Sequence, residues 1–182
     1  MDLLLDSFDS PLGPISLASD GHSLVALDFC PPERMAERLR ARFGPGARVR
    51  LAPDPLGLTA RARAYFAGDV EAMAGVPVEG GGTPFQRRVW AALREIPAGE
   101  TESYSGLAAR LGLPGGARAV GLANGRNPVA IAVPCHRVVG ADGSLTGYAG
   151  GLPRKRWLLE HEQRARLLER RKPMGRWGAA SR

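Results

Sequence analysis

The sequence predicts an α/β protein in two parts: a small α/β unit built on an antiparallel sheet, then a mainly helical part with a helix-turn-helix outline. Three observations lead there. Short apolar or alternating runs separated by turn sequences fill residues 2–29. From residue 83 onward, apolar residues recur at helical spacing instead. Between the two patterns stands Gly80-Gly81-Gly82, which marks a boundary between domains at 1–80 and 83–162, with a basic tail at 163–182.

Residues 2–8, 14–19 and 23–29 read as strands of a meander, because Asp9-Ser10-Pro11-Leu12-Gly13 and Ser19-Asp20-Gly21 between them are turn formers. Pro31-Pro32-Glu33 then opens a helix to about Phe43, since proline is tolerated in a first turn and Met35, Leu39 and Phe43 recur four apart. A second amphipathic helix spans about Leu56 to Ala67. Beyond the glycines, Thr83 caps a helix with Phe85, Val89, Trp90, Leu93 and Ile96 on one face, and Pro97-Ala98-Gly99 ends it. Short helices at about Tyr104–Leu111 and Ala117–Asn124 flank Gly112-Leu113-Pro114-Gly115-Gly116, the outline of a helix-turn-helix. Apart from Arg118, the second of these carries almost no bulk, so its backbone can approach a groove closely while one long cation reaches inside. A packed core helix would use Ala and Gly equally well; Arg118 is what that alternative explains poorly. Ile131-Ala132-Val133 reads as a buried strand.

Composition narrows the function classes. With 182 residues the chain can bury a core without a disulfide framework. No apolar run reaches the ~18 residues of a membrane span, and the acidic start Met1-Asp2 is unlike a secretory signal, so a cytoplasmic protein with no membrane partner is expected. Net charge is +7 and unevenly spread: residues 1–82 hold 8 basic and 11 acidic side chains, residues 83–153 hold 7 and 4, and the last 29 hold 10 and 3. Basic groups thus gather where they could neutralise phosphates, which favours nucleic acid as partner; a solvated tail is the alternative. Only two of the 25 basic residues are Lys, at positions 155 and 172.

The two cysteines stand alone, which leaves no support for a zinc knuckle or a redox pair. Pro134 cannot donate to a ladder, so the strand should stop there and leave Cys135 on a turn. A free thiol is only about 3% thiolate at pH 7 unless cations or hydrogen bonds favour the anion, and His136 and Arg137 are the nearest candidates in sequence. Adjacent side chains point apart, so a bridging water rather than direct contact would relay a proton from Cys135 to His136. The imidazole then needs an acceptor on its other nitrogen, and spacing alone leaves Glu160 and Glu162 equal. Cys30, at a strand end, reads as inert.

Several blocks taken together resemble the O6-alkylguanine-DNA alkyltransferases: Gly82-Thr83-Pro84-Phe85-Gln86, Ser103-Tyr104, Ala117-Arg118-Ala119-Val120-Gly121, Asn127-Pro128, Pro134-Cys135-His136-Arg137-Val138-Val139, Gly147-Tyr148-Ala149-Gly150-Gly151, and Lys155 with Trp157-Leu158-Leu159 and His161-Glu162. The resemblance covers residues 82–162 nearly without gaps and the first segment more loosely. It implies a ribonuclease-H-like first domain and a winged-helix-like helix-turn-helix domain holding the active site. The implied partner is double-stranded DNA containing alkylated guanine, bound through the minor groove with the damaged base flipped out. Arg118 would fill the gap, with Tyr104, Ser105, Ala117, Gly121 and Asn124 also at the DNA. Asn127, Cys135, His136 and Glu162 match the family's hydrogen-bond network, which selects Glu162 over Glu160. Tyr104 would assist nucleotide rotation and donate to the guanine, while Tyr148, Ala149, Gly150 and Val138 would wall the pocket.

The activity so implied is irreversible transfer of the alkyl group from O6-alkylguanine, and from O4-alkylthymine, to Cys135. Water does not readily cleave the resulting thioether, so one turnover per molecule is expected, with no cofactor. No metal ligands or adaptor segment are evident in the first part, and a monomer able to cluster on DNA is expected. The alternative is a non-catalytic lesion-binding relative, a class that lacks the nucleophile. Three features depart from the family: Glu102 should weaken phosphate affinity slightly, Gly116 should loosen the start of its helix, and the tail after Gln163 should continue the helix through Leu167 and Leu168 before becoming a basic arm.

Overall fold

The structure is a computed structural model and describes residues 1–171. Strands β1 (Asp2–Ser10), β2 (Gly13–Ser19) and β3 (Leu24–Asp28) form the expected antiparallel meander. After helix α1 (Pro32–Phe43), a strand that patterning does not reveal, β4 (Arg48–Leu51), pairs parallel with β1, so the sheet is mixed, in the order β3-β2-β1-β4. β4 escapes notice because it is a short edge strand with Arg48, Arg50 and Leu51 exposed, leaving no alternation to read. The two faces of the sheet separate cleanly. Leu3, Leu5, Ala18 and Val25 pack against Met35 and Leu39 of α1, while Ile15, Leu17, Leu24 and Leu27 face the larger core. A 3₁₀ turn at Pro55–Gly57 leads into α2 (Leu58–Phe66), which lays Tyr65 and Ala62 against that core.

The helical part opens with α3 (Pro84–Leu93), fixed by a reciprocal capping box: the Gln86 amide donates to Thr83 Oγ1 at 3.2 Å and the Thr83 amide to Gln86 Oε1 at 2.8 Å. A two-residue strand, β5 (Glu102–Ser103), pairs parallel with β6 (Val138–Val139), and Ser103 caps α4 (Tyr104–Arg110). Helix α5 (Ala117–Gly125) follows, tied to α3 by the Trp90 indole, which donates to the Ala123 carbonyl at 2.9 Å. Gly116 is not a loose start: a Cβ there would lie 2.8 Å from the Leu113 carbonyl oxygen, so glycine admits the close approach of the turn to the helix. The last helix, α6 (Leu152–Arg170), includes Leu167 and Leu168 as expected, both exposed; the arm proposed beyond it lies outside the described residues.

One expected element is absent. Ile131–Val133 is not a strand; the Val133 amide closes onto the Val129 carbonyl at 3.0 Å, the Ala132 amide onto Ala130 at 2.8 Å, and Ile131 adopts φ +70°. The run is fully buried, which explains its apolar character, but its backbone groups are satisfied by local turns that carry the chain round to Cys135. Just before it, the segment at 128–130 docks on the edge of β3: the Leu27 amide donates to Pro128 at 3.0 Å and the Ala130 amide to Leu27 at 2.9 Å. A single hydrophobic cluster therefore runs from the sheet through α2 and α3 to the loop around the cysteine. No helix among the described residues is long and apolar enough to cross a membrane.

Candidate active site

Cys135 begins a 3₁₀ turn (Cys135–Arg137), on a turn as its proline neighbour predicts, and is 7% exposed. It lies in a cleft of about 160 Å³ whose walls come from three places. The C-terminal end of α5 and the residues after it supply Asn124, Arg126, Asn127 and Ala130, the 148–150 segment supplies Tyr148, Ala149 and Gly150, and the first domain supplies Asp28 and Arg38, which form an ion pair. Val138 does not line this cleft; it is buried in β6. Asp28 and Arg38 were not anticipated, because nothing in their local sequence distinguishes an ion pair at a cleft mouth from one in open solvent.

Asn127 organises the loop under the cysteine. Its side-chain amide donates to Val133 at 2.8 Å, and its carbonyl oxygen accepts from the Val129 amide at 3.0 Å. Asn124 donates to the Cys135 carbonyl at 3.2 Å. Burial pushes the Cys135 thiol up, opposed in part by a hydrogen bond from Asn127 and by the positive charge of Lys155. Lys155 is the cation acting on the cysteine, where the sequence pointed to His136 and Arg137. It is fully buried on α6, donates to the carbonyls of Val138 at 2.6 Å and Thr146 at 2.7 Å, and lies 5.8 Å from the centre of the Tyr104 ring. Burial lowers its pKa to about 8.

His136 and Arg137 turn instead to Glu162, whose carboxylate has no exposure, whereas Glu160 is exposed. Glu162 Oε1 accepts from His136 Nε2 at 2.7 Å, Tyr65 Oη at 2.7 Å and Arg137 Nη2 at 2.9 Å. Oε2 accepts from Arg137 Nε at 3.0 Å and the Gly99 amide at 2.9 Å. Burial alone would raise this carboxyl, but the charge and hydrogen bonds of His136 and Arg137 prevail and hold it well below the usual carboxylate range. With Nε2 committed to Glu162, His136 Nδ1 is buried and has no partner among the described residues. Spacing leaves Glu160 and Glu162 equal and only the family resemblance points to Glu162; neither reveals Tyr65 and Gly99, which reach it from far away in the chain.

Tyr104, at the start of α4, directs its hydroxyl toward the carbonyls of Gly147 at 3.2 Å and Thr146 at 3.4 Å. Burial and the neighbouring Cys135 push its phenol up, so it keeps its proton at neutral pH. Gly121 on α5 faces the Tyr104 ring. Arg118 and Ser105 are exposed, Ala117 is half-buried, and Arg118 makes no hydrogen bond or ion pair with the described residues. Glu102 pairs with Arg110, which donates to its two oxygens at 2.9 and 3.3 Å and also pairs with Glu95, so two carboxylates share one guanidinium beside Tyr104. Cys30 is buried in the smaller core. Among the described residues no three His, Cys, Asp or Glu side chains are grouped to hold a metal ion.

Residues 3–79 match the ribonuclease-like domain, and residues 84–164 the DNA binding domain, of 6-O-methylguanine DNA methyltransferase. A methylated-DNA–protein-cysteine methyltransferase of Shigella flexneri is 47% identical over 163 residues, covering 88% of this chain and 95% of the relative. One of Mycobacterium bovis is 50% identical over 160 residues, covering 86% and 90%. Among solved structures, Mycobacterium tuberculosis OGT in complex with DNA superposes with a TM-score of 0.73 at 43% identity, covering 91% of this chain and 94% of that one. Two family models that between them match residues 3–79 and 84–164, and relatives at 47% and 50% identity that are covered over nearly their whole length, show that this chain belongs to the methylated-DNA–protein-cysteine methyltransferase family.

Proposed function

We propose that this protein repairs alkylated DNA by direct reversal, with Cys135 taking the alkyl group from O6 of guanine in a single irreversible turnover. The observation that carries the reading is the cleft itself, where the one cysteine outside the sheet core lies between the end of α5 and the 148–150 segment, next to a histidine already oriented by a buried carboxylate. DNA is the partner. Arg118, exposed on α5 and without a hydrogen bond or ion pair to the described residues, inserts through the minor groove and occupies the space of the extruded nucleotide.

In this mechanism the Cys135 thiol passes its proton through a water to His136 Nδ1, and Glu162 and Arg137 hold the imidazole in place. The thiolate sulfur attacks the alkyl carbon; the S–C bond forms as the C–O6 bond breaks, and the electron pair leaves with the guanine. Tyr104, still protonated, donates to the base as negative charge develops on it. The departing guanine anion takes up one proton, balanced by release of the proton held on His136, and the products are an S-alkyl cysteine and guanine restored in the DNA. O4-alkylthymine undergoes the same chemistry, since it offers a carbon on an equally placed oxygen. The protein works as a monomer able to cluster on DNA, in the cytoplasm, where both cysteines stay reduced.

The test is to incubate the protein with a duplex containing O6-methylguanine and weigh it intact. Transfer adds about 14 Da, located on Cys135, and Cys135→Ser abolishes the gain while retaining lesion binding. Tight lesion binding with no change of mass in the native protein would overturn the reading in favour of a lesion binder.

A further inference from the structure

Of the groups that converge on Glu162, one comes from the other domain. Tyr65 ends α2, is 1% exposed, and donates its hydroxyl to Glu162 Oε1 at 2.7 Å. The same oxygen accepts the His136 Nε2 proton at 2.7 Å. Tyr65 is held at its other end as well: its carbonyl accepts from His161 Nε2 at 2.7 Å, one residue before Glu162 on α6. His161 in turn stacks on Trp157 at 4.8 Å and 14°, and Tyr65 meets Phe66 edge-on at 5.4 Å. The Tyr65 ring also lies 5.4 Å from that of His161, so the phenol is packed into the seam between α2 and α6.

We infer that Tyr65 is a positioning residue for alkyl transfer, by which the first domain shares the Glu162 oxygen with His136 and so sets how strongly that carboxylate retains the imidazole proton. The inference rests on the transfer reading above. Its physical basis is competition at one acceptor. A carboxylate oxygen that already accepts from a phenol and a guanidinium gives less to a third donor. The Nε2–H bond to the carboxylate stabilises the imidazolium that forms when Nδ1 takes the thiol proton, so a stronger bond there raises the basicity of Nδ1 and leaves more of the resting histidine already protonated and unable to accept. The titratable and charged groups packed around this pair are Glu162 from α6, Tyr65 from α2, His161 of α6 against Tyr65, Cys135 and Arg137 on the same turn, and Tyr148 from the following loop, with Lys155 of α6 acting on Cys135. Of these, only Tyr65 and Arg137 share the oxygen that His136 uses, and Tyr65 is the one from the first domain.

Tyr65→Phe removes one oxygen and keeps the ring packing. The stronger His136–Glu162 bond should move the Nε2 proton resonance downfield in NMR spectra, and the acid limb of the transfer rate should shift to higher pH, slowing transfer at pH 7 about threefold to tenfold. Incorporating 3-fluorotyrosine at position 65, a stronger donor of the same size, should move both readouts the opposite way. A Tyr65→Phe protein that transfers more slowly at every pH, with no displaced resonance and an unshifted acid limb, would reduce Tyr65 to packing and overturn the inference. Failure of the unaltered protein to take up alkyl groups would overturn the transfer reading instead, and the resonance would still report on the shared oxygen.

Discussion

Replacing Glu162 with Gln tests the centre of the molecule, because the carboxylate has no solvent exposure and five hydrogen-bond donors converge on it. An amide is nearly isosteric, but it brings an N–H₂ group where donors already point and removes the negative charge beside Arg137. Arg137 is then a buried guanidinium with only the Ile96 carbonyl left as a good acceptor, at 2.6 Å. Breaking a buried pair from one side typically costs about 3–5 kcal/mol. In a chain of this size that corresponds to a fall in Tm on the order of 10 °C. Acid adds an independent signature. Because folding holds the Glu162 carboxyl below its unfolded value, the protein gains stability from it above about pH 4.3 and loses that gain as pH falls toward the folded value. Urea unfolding from pH 7 down to pH 3 should show this component in the native protein and lack it in Glu162→Gln. Stability within about 1 kcal/mol of native at pH 7, with an unchanged acid profile, would refute the view that this carboxylate holds the domains and the histidine together.

Substitutions at three other residues give further outcomes. Arg118→Ala should slow repair of duplex DNA at least tenfold more than reaction with free O6-benzylguanine, as read by intact mass over time; equal slowing would remove the gap-filling role. Lys155→Met leaves the Val138 and Thr146 carbonyls without their donor and removes a cation from Cys135, so transfer at pH 7 should fall by about tenfold or more. Burial holds Lys155 near 8 against 10.5 unperturbed, so its charge opposes folding below pH 8 and stability should rise from pH 8 to 10.5, a rise absent in the Met variant. Gly82→Ala should lower stability by about 2–4 kcal/mol in urea unfolding, since the position has φ +79° and a Cβ would lie 2.7 Å from the Trp90 ring.

Much of the fold was legible because each signal was local. The turn sequences delimit β1 to β3, Thr83 and Gln86 declare the start of α3, and Pro134 places Cys135 on a turn. Where the sequence misled, the cause was burial without periodicity. Ile131-Ala132-Val133 has the composition of a strand because it is enclosed by both domains, yet its hydrogen bonds are those of turns. β4 failed in the opposite way, being an exposed edge with no apolar face. Lys155 left a faint trace: in a chain that uses Arg almost throughout, a retained Lys marks a place where a compact ammonium is needed between two carbonyls.

What the amino-acid sequence determined alone was the set of reactive groups and the turns and caps that present them, since a proline or a capping threonine acts through its immediate neighbours. Tertiary structure alone decided how those groups are wired. Arg137 beside Cys135 serves Glu162, Lys155 twenty residues further along serves Cys135, and Tyr65 from the first domain shares an oxygen with His136. The reason is that a hydrogen bond depends on a separation of about 3 Å in space, and in a buried network the donors come from wherever packing brings a backbone close, regardless of distance along the chain.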